Sequence, residues 1–134
     1  MPATINTAQL AAIAAALFGR VSYQGPATLY AALIVGATDG LTGGTEATGG
    51  SYARVAITNN QTNFPAANPT VNANVITWPT SSAAWGTVNA VRFFDASSGG
   101  TLIGGAPLTP AASVDAAGIT VTVPAGSLSL TVAS

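Results

Sequence analysis

Short segments of alternating apolar and polar residues, separated by turns rich in glycine and proline, constrain the fold of this chain more than any other feature. In segments 119–123 and 128–132, Ile, Leu or Val alternates with Thr or Ser, and the turn sequence Pro-Ala-Gly-Ser lies between the two segments. A period of two places the apolar side chains on one face of a strand. These segments predict a β-hairpin with one buried face and one face covered by hydroxyl groups.

Similar strand patterns recur through the preceding part of the chain. Segment 28–35 is apolar on both faces, which is typical of a central strand that is covered on each side. Segment 51–58 has its apolar residues on one face, as in a half-buried strand. Segments 36–50 and 59–74 are rich in glycine, or in polar residues with proline, and are predicted to be long loops, the first of them mobile. The remaining predicted strands are 75–78, 90–94 and 101–103, with a turn at 95–100 joining the last two.

The N-terminal segment has a different pattern, which predicts a short helix over residues 6–19. Asn6 is expected to cap it by accepting a hydrogen bond from the backbone N–H of Gln9, while the Gln9 side chain reaches back as in a capping box. Gly19 follows the last periodic residue, where a C-terminal cap is expected.

One face of this predicted helix is apolar. Leu10, Ile13 and Leu17 recur at i, i+3 and i+7 on an otherwise alanine-rich helix. A helix of fewer than four turns is marginally stable alone, so it is expected to pack on the body or on a neighbouring subunit. Residues 10–18 also have the length of a signal-peptide core, but the segment before them has no Lys or Arg, and the capped helix is the better interpretation.

Together these patterns indicate a mainly β fold with one short N-terminal α-helix. Short strands separated by glycine and proline turns are typical of an antiparallel β-sandwich or a jelly-roll-like barrel. A chain of 134 residues can bury a core without disulfides or metal. We therefore expect a single domain over residues 1–134, in which 1–19 form a helical arm and 26–134 form the β-rich body.

Charged side chains are scarce throughout the sequence. Arg, Asp and Glu make up 5% of the chain, whereas charged residues are about a quarter of ordinary soluble domains. A free monomer usually depends on interspersed charge to stay in solution. Burial of much of the surface against other subunits is therefore expected, and the alternative is a monomer kept soluble by hydroxyl and amide groups.

The same scarcity argues against two classes of partner. The chain has no Lys and no arginine cluster, so it cannot neutralise a run of phosphates or dock onto an anionic bilayer. No apolar stretch approaches the ~20 residues that a membrane span needs. We expect neither nucleic acid nor membrane as a partner.

The side chains that most catalytic sites use are missing. Without His, Cys or Lys, the chain cannot form a Ser-His-Asp or Cys-His nucleophile, a His/Cys zinc site, a Schiff base or a phosphate-loop lysine. The four carboxylates could form a glycosidase pair, but Asp in a turn usually bonds its own backbone. The glycine-rich stretch 40–50 lacks the strand-to-helix setting of a phosphate cradle and the alternating oxygens of a calcium loop. We expect no enzyme activity, no catalytic residues, no cofactor and no metal.

Assembly with other copies makes several side chains candidates for an interface. Arg54 and Arg92 fall within predicted strands, where each is expected either to point its charged head into water or to bond to a carbonyl or carboxylate of another subunit. Aromatic residues are often core, but they also dominate interface hot spots, and Phe64 and Trp85 are the loop aromatics most suited to exposure. The candidate interface residues are Leu10, Ile13, Leu17, Arg54, Phe64, Trp85 and Arg92.

Several segments resemble a family of small phage and prophage proteins, often labelled tail-fibre-like and sometimes placed among trimeric capsid decoration proteins. Tyr-Ala-Arg-Val, Trp-Gly-Thr-Val and Phe-Asp-Ala-x-x-Gly-Gly form a fairly specific combination, in which Ser51 stands where glycine is expected before the tyrosine. The resemblance implies a virion structural protein that assembles in the host cytoplasm. The matching segments are FG at 18–19, PATLYAALIV at 26–35, GGSYARVAITNN at 49–60, ITWPTSSAAWGTVNAVRFFDASSGGTLIGGAPL at 76–108 and VPAGSLSLTV at 123–132.

The resemblance implies two alternative positions on the particle. A capsid decoration protein would form a homotrimer on the capsid exterior and bind the major capsid protein, and the short chain and charge-poor composition favour this position. A tail-fibre or tail-tip component would trimerise at the distal end and touch the host surface, but such fibres usually need an anchoring segment, and the sequence shows none. In both cases the partners are other copies and other virion proteins.

The contacts with those partners are expected to come from the N-terminal helix or from the loops 36–50 and 59–74. Deletion of the first nineteen residues is then expected to weaken binding to the particle more than it weakens folding.

Overall fold

In the computed structural model, the chain is mainly β with one short helix, and its strands form a curled mixed sheet shaped as a half-barrel. The predicted mainly β class with one short helix is confirmed. The structure describes residues 2–19, 22, 24–65 and 69–130. The elements are β1 (Pro2–Ile5), α1 (Thr7–Leu17), β2 (Thr28–Thr38), β3 (Gly43–Glu46), β4 (Val55–Thr58), β5 (Thr70–Val71), β6 (Ile76–Thr77), β7 (Gly86–Phe94), β8 (Leu102–Val114), β9 (Thr122–Val123) and β10 (Ser129–Leu130).

Strand β2 is covered on both faces, as its apolar sequence predicts. Four consecutive residues, 31–34, are buried. One edge of β2 pairs with β7, and the other edge pairs first with β4 and then with β3. The indole N–H of the buried Trp78 donates to the carbonyl oxygen of Ala31 at 3.1 Å, which ties the segment after β6 to β2.

Strand β1 connects the two parts of the main sheet, whose order is β3-β2-β7-β8-β1-β10-β5. Its first two residues pair in parallel with β10, and its last two pair antiparallel with β8. A Cβ on Gly104 of β8 would lie 2.5 Å from the carbonyl oxygen of Thr4, so this approach requires glycine. Sequence analysis did not predict β1, and deletion of residues 1–19 would remove a strand together with the helix. That deletion therefore does not separate binding from folding.

The two C-terminal alternating segments do not form the predicted hairpin. Strand β9 pairs with β6 in a separate two-stranded sheet, whereas β10 pairs with β1 and β5. The alternation itself is confirmed in the first segment, where Val121 and Val123 are buried and Thr120 and Thr122 are exposed. Residues 131–132 of the second segment lie outside the described residues. The turn between the segments carries the chain from one sheet to the other.

Both predicted long loops contain a strand, so these two predictions are wrong in part. Strand β3 lies within segment 36–50 and pairs with β2, and β5 lies within segment 59–74 and pairs with β10. Neither has an apolar alternation, because β3 reads Gly-Gly-Thr-Glu and β5 has two residues. The other predicted strands are confirmed with shifted ends: β4 is shorter than segment 51–58, and β7 and β8 are longer than predicted.

The helix α1 is confirmed, with a small change at its cap. The side-chain oxygen of Asn6 accepts from the N–H of Ala8 at 2.9 Å, one residue before the expected donor, Gln9. At the other end Gly19 has a φ of 73° and donates to the carbonyl oxygen of Ala16, as a glycine cap does. No residue of α1 is buried.

Candidate interaction surface

The exposed apolar side chains of the described residues are concentrated at the helix α1. Leu10 is 46% exposed, Leu17 77% and Phe18 83%, and the remaining large exposed hydrophobic residue of this set is Val75. Ile13, between the two leucines, is half-buried. Contiguous exposed apolar surface marks sites of interaction in soluble proteins. We call Leu10, Ile13 and Leu17 the α1 stripe, and it contains the three helix residues that the sequence singled out.

The helix is attached to the body at its beginning, and beyond that point its residues are half-buried or exposed. The backbone N–H of Asn6 donates to the carbonyl oxygen of Ile103 in β8 at 2.7 Å, directly after β1 ends. Beyond this point none of the eleven residues of α1 is buried. Packing of the stripe on a neighbouring subunit stays a prediction. A helix of this length is marginal in water without further contacts.

The side chain of Arg54 is enclosed by its own chain, with 5% exposure. Its Nε and Nη2 atoms donate to the two carboxylate oxygens of Glu46 at 2.8 and 2.7 Å. Its Nη1 atom donates to the carbonyl oxygens of Ala96 and Gly99 at 2.7 and 2.8 Å. The guanidinium carbon lies 4.0 Å from the ring centroid of Phe94. This arginine therefore joins β3 to the turn between β7 and β8.

The electrostatics of this cluster stabilise the charged pair. The hydrogen bonds from Arg54 hold the pKa of Glu46 below its ordinary value, against the opposing effect of burial, and they raise the pKa of Arg54. The hydroxyl of Tyr52 donates to Glu46 at 2.8 Å and accepts from the N–H of Leu33 at 3.0 Å. Burial raises the pKa of Tyr52. None of the three groups titrates near neutral pH, so the cluster acts as a structural ion pair.

Arg92 also bonds within its own chain. Its Nε donates to the carbonyl oxygen of Gly40 at 2.9 Å, and its Nη2 donates to Thr38 Oγ1 at 3.0 Å and to the carbonyl oxygen of Gly43. Burial lowers the pKa of Arg92. The sequence predicted that the charged head of each arginine bonds to water or to another subunit. This prediction is wrong, because both heads donate to carbonyl, hydroxyl or carboxylate oxygens of their own chain. Their participation in an interface stays a prediction.

Two of the turn carboxylates bond to their own backbone, as expected. Asp39 accepts from the N–H groups of Leu41 and Thr42 at 3.0 and 2.7 Å, and the bond from Thr42 is the main cause of its lowered pKa. Asp95 accepts from the N–H of Thr101 at 2.7 Å. No group of three or more acidic residues in the described ranges could hold a metal ion. Among the described helical residues, no helix is long and apolar enough to cross a membrane.

The two candidate aromatic residues have different positions. Trp85 is 8% exposed, packs edge-on against Tyr52 with ring centroids 5.4 Å apart, and donates to the carbonyl oxygen of Gly50 at 3.1 Å. The interpretation of Trp85 as an exposed loop aromatic is therefore wrong, because this side chain belongs to the core. Phe64 is half-buried, and its place in an interface stays a prediction.

An apolar cavity of about 200 Å³ lies between β1, β8 and β10. Its walls include Leu29, Phe64, Phe93, Ile103 and Leu128. These residues come from elements that are distant in sequence, so sequence patterns could not predict the cavity.

A comparison with protein families adds an independent finding. A family model described as podophage GP4 fiber I protein gp80 matches residues 4–131, which is nearly the whole chain and includes α1. A search of curated proteins found no match.

Proposed function

The chain belongs to the family of podophage GP4 fiber I protein gp80, and on this premise we propose that it is a fibre component of the phage particle that assembles through α1. Membership of this family makes the chain a phage virion structural protein. The position within the particle and the role of α1 are the proposed parts. The family is described as one of fiber proteins, which favours the fibre over the capsid exterior.

The exposure of α1 is the observation that carries the proposal. A fibre component needs a segment that links it to the rest of the particle. Helix α1 fits this need because it begins at the edge of β8, has no buried residue, and exposes Leu17 by 77%. Burial of such side chains contributes about 25 cal/mol per Å² and is opposed by the entropy of association.

Capsid decoration is the second candidate, and the use of charge in the body supports it. The side chains of Arg54, Glu46, Arg92 and Asp39 form hydrogen bonds within the chain, and the sequence holds only seven charged residues. A body with so little surface charge suits broad contact with a lattice of other subunits. In this position it would sit as a homotrimer on the capsid exterior and bind the major capsid protein.

In either position we propose an adhesive role without a catalytic step. The placement of the carboxylates supports this proposal, because Glu46 is held in an ion pair and Asp39 and Asp95 accept bonds from turn backbone. The proposed partners are other copies of the chain and other virion proteins, and neither nucleic acid nor membrane is included.

The copy number of the chain in purified particles tests the position. Quantitative mass spectrometry against the major capsid protein, combined with antibody labelling in electron micrographs, is the measurement. A small number of copies with label at the tail is expected for a fibre component. A number comparable to that of the major capsid protein, with label over the capsid, would replace the fibre by decoration. Absence from the particle would overturn both positions.

A further inference from the structure

We propose that the apolar cavity between β1, β8 and β10 is a binding site for a small uncharged aromatic molecule, of the size of one ring with a small substituent. Binding sites for small molecules are concave and mostly apolar, and the mouths of curled sheets are among the places where they occur. The cavity has a volume of about 200 Å³ and lies within a single chain. Binding there is therefore independent of the position of the chain in the particle.

The cavity lies where the sheet lacks a side chain. Phe93 pairs with Gly104, and Gly104 pairs with Ile5, so the three residues are neighbours across β7, β8 and β1. Paired residues lie on the same face of a sheet, so two large side chains flank a position that has none. No side chain can be added there, since a Cβ on Gly104 would lie 2.5 Å from the carbonyl oxygen of Thr4. The close approach of β1 to β8 therefore keeps this position empty.

The walls of the cavity favour an uncharged ligand. The residues around it, all of which belong to the described part of the chain, carry no charge. The buried side-chain amide of Asn72 donates to the carbonyl oxygens of Asn74 and Pro124 at 2.9 and 3.0 Å. Its oxygen accepts from the N–H of Leu128 at 3.0 Å. This amide is already bonded within the chain, and a charged ligand would find no opposite charge to compensate for its loss of water.

The size of the cavity and its aromatic walls fit one ring. Apolar cavities of about 150 Å³ bind benzene, so a cavity of about 200 Å³ has room for a ring with a small substituent. Phe64 and Phe93 both line it, and aromatic rings attract one another in edge-to-face or offset arrangements. Phe93 and Leu128 are 7% and 6% exposed, so the inner wall is withdrawn from solvent. The lining residues Thr4 and Asn59 are exposed, and they mark the opening through which a ligand enters.

The first test compares toluene with benzoate by thermal unfolding of the purified full chain. Both probes have the same ring, but benzoate carries a carboxylate. Toluene close to its saturation in water is expected to raise Tm by about 2 °C or more, because a ligand that binds the folded state stabilises it. Benzoate at the same concentration is expected to leave Tm unchanged. No rise with toluene, or an equal rise with both probes, would overturn the proposal.

The second test locates toluene through the methyl groups of the wild-type chain in NMR spectra. Ring-current shifts are expected at Ile103 and Leu130, which line the cavity. No shifts are expected at Leu10 and Leu17, the exposed leucines of α1. Shifts confined to those two leucines would mean that toluene binds to exposed apolar surface, and they would reject the cavity as the site.

The third test fills the cavity with the variant Ala3→Leu. Ala3 lines the cavity and packs against the core, and leucine adds an isopropyl group at this position. Ala3→Leu is expected to weaken toluene binding by about tenfold or more, because the added group occupies the space of the ring. The control Ala11→Leu, at an exposed position of α1, is expected to keep the wild-type affinity. The NMR shifts of the wild type test the site even when Ala3→Leu does not fold. A folded Ala3→Leu chain that binds toluene as tightly as the wild type would contradict the proposal.

Discussion

The substitution Arg54→Lys is expected to destabilise the body although it keeps the positive charge. The guanidinium makes four hydrogen bonds, two to Glu46 and one each to the carbonyl oxygens of Ala96 and Gly99, and it stacks on Phe94. An ammonium group is a single point with three donors, so it cannot reach the carboxylate and both carbonyl oxygens at once. The turn carbonyls and part of the carboxylate would lose their partners.

The expected loss follows from the number of bonds and from their exposure. Hydrogen bonds to charged groups contribute about 1.5 kcal/mol or more each, and at least two are lost. The side chain of Glu46 is 29% exposed, so water replaces part of what Arg54 gave it and the sum must be discounted. We expect a loss of about 2–3 kcal/mol in the free energy of unfolding, which corresponds to a fall of roughly 10 °C in Tm for a chain of this size.

Urea denaturation at a fixed protein concentration is the assay, because association also contributes to stability. A double-mutant cycle with Glu46→Gln isolates the interaction between the two side chains. Asp115→Asn is the matched control for Glu46→Gln, since it also replaces a carboxylate by an amide, but at an exposed position. A loss below about 0.5 kcal/mol for Arg54→Lys, equal to that of an ordinary surface substitution, would refute the reasoning.

Three further predictions concern the pH dependence, a left-handed residue and a close approach. Because the folded-state pKa of Glu46 is lowered, the stabilisation by its ion pair is present above the unfolded pKa and is lost as pH falls through the folded pKa. Glu46→Gln should therefore flatten the fall of stability that sets in as the pH drops below the ordinary value of 4.5, as measured by urea titrations. Ser51 has a φ of 67°, so Ser51→Gly should raise the free energy of unfolding by about 0.5–1 kcal/mol, whereas Ser51→Ala, which keeps the strain, should not. Gly104→Ala should lower the free energy of unfolding by about 2 kcal/mol, because its Cβ would lie 2.5 Å from the carbonyl oxygen of Thr4. The control Gly25→Ala, with its nearest neighbour at 3.4 Å, should change stability by less than about 0.5 kcal/mol.

Each of these predictions has an outcome that contradicts it. An unchanged acid limb in Glu46→Gln would mean that other groups control the loss of stability at low pH. A Ser51→Gly chain no more stable than Ser51→Ala would mean that the left-handed backbone is not strained. A Gly104→Ala chain as stable as the Gly25→Ala control would mean that β1 can move away from β8 without loss.

Strand positions were predictable from the sequence because their signal is local. Alternation in segment 119–123 and the doubly apolar run in β2 both result from neighbouring residues meeting opposite faces of a sheet. Strand pairing has no such local signal, since β9 pairs with β6 and β10 pairs with β1 and β5 across long separations. A turn between two alternating segments suggested a hairpin, but partners elsewhere in the chain took both strands.

The same distinction applies to the candidate surface. The helix α1 and its stripe follow from a cap, a glycine and a spacing within fourteen residues, and the structure confirms the helix. The partners of the arginines lie far along the chain, such as Ala96 for Arg54 and Gly40 for Arg92. The burial of Trp85 likewise depends on Gly50 and Tyr52 in another loop. These contacts are consequences of the tertiary fold, so residue type alone could not distinguish a core position from an interface.

Most of the few charged side chains of the body are used for bonds within the chain, and the helix α1 carries no charge. The ion pair of Arg54 and the carbonyl contacts of Arg92 fix loops around β3, where backbone groups without a ladder partner need donors. Charge used in this way is not available to keep a free monomer in solution, and α1 has none. Contacts through such uncharged surfaces depend on apolar burial, which weakens on cooling, and they respond little to ionic strength. The proposed assembly is therefore expected to keep its contacts when the salt concentration around the particle changes.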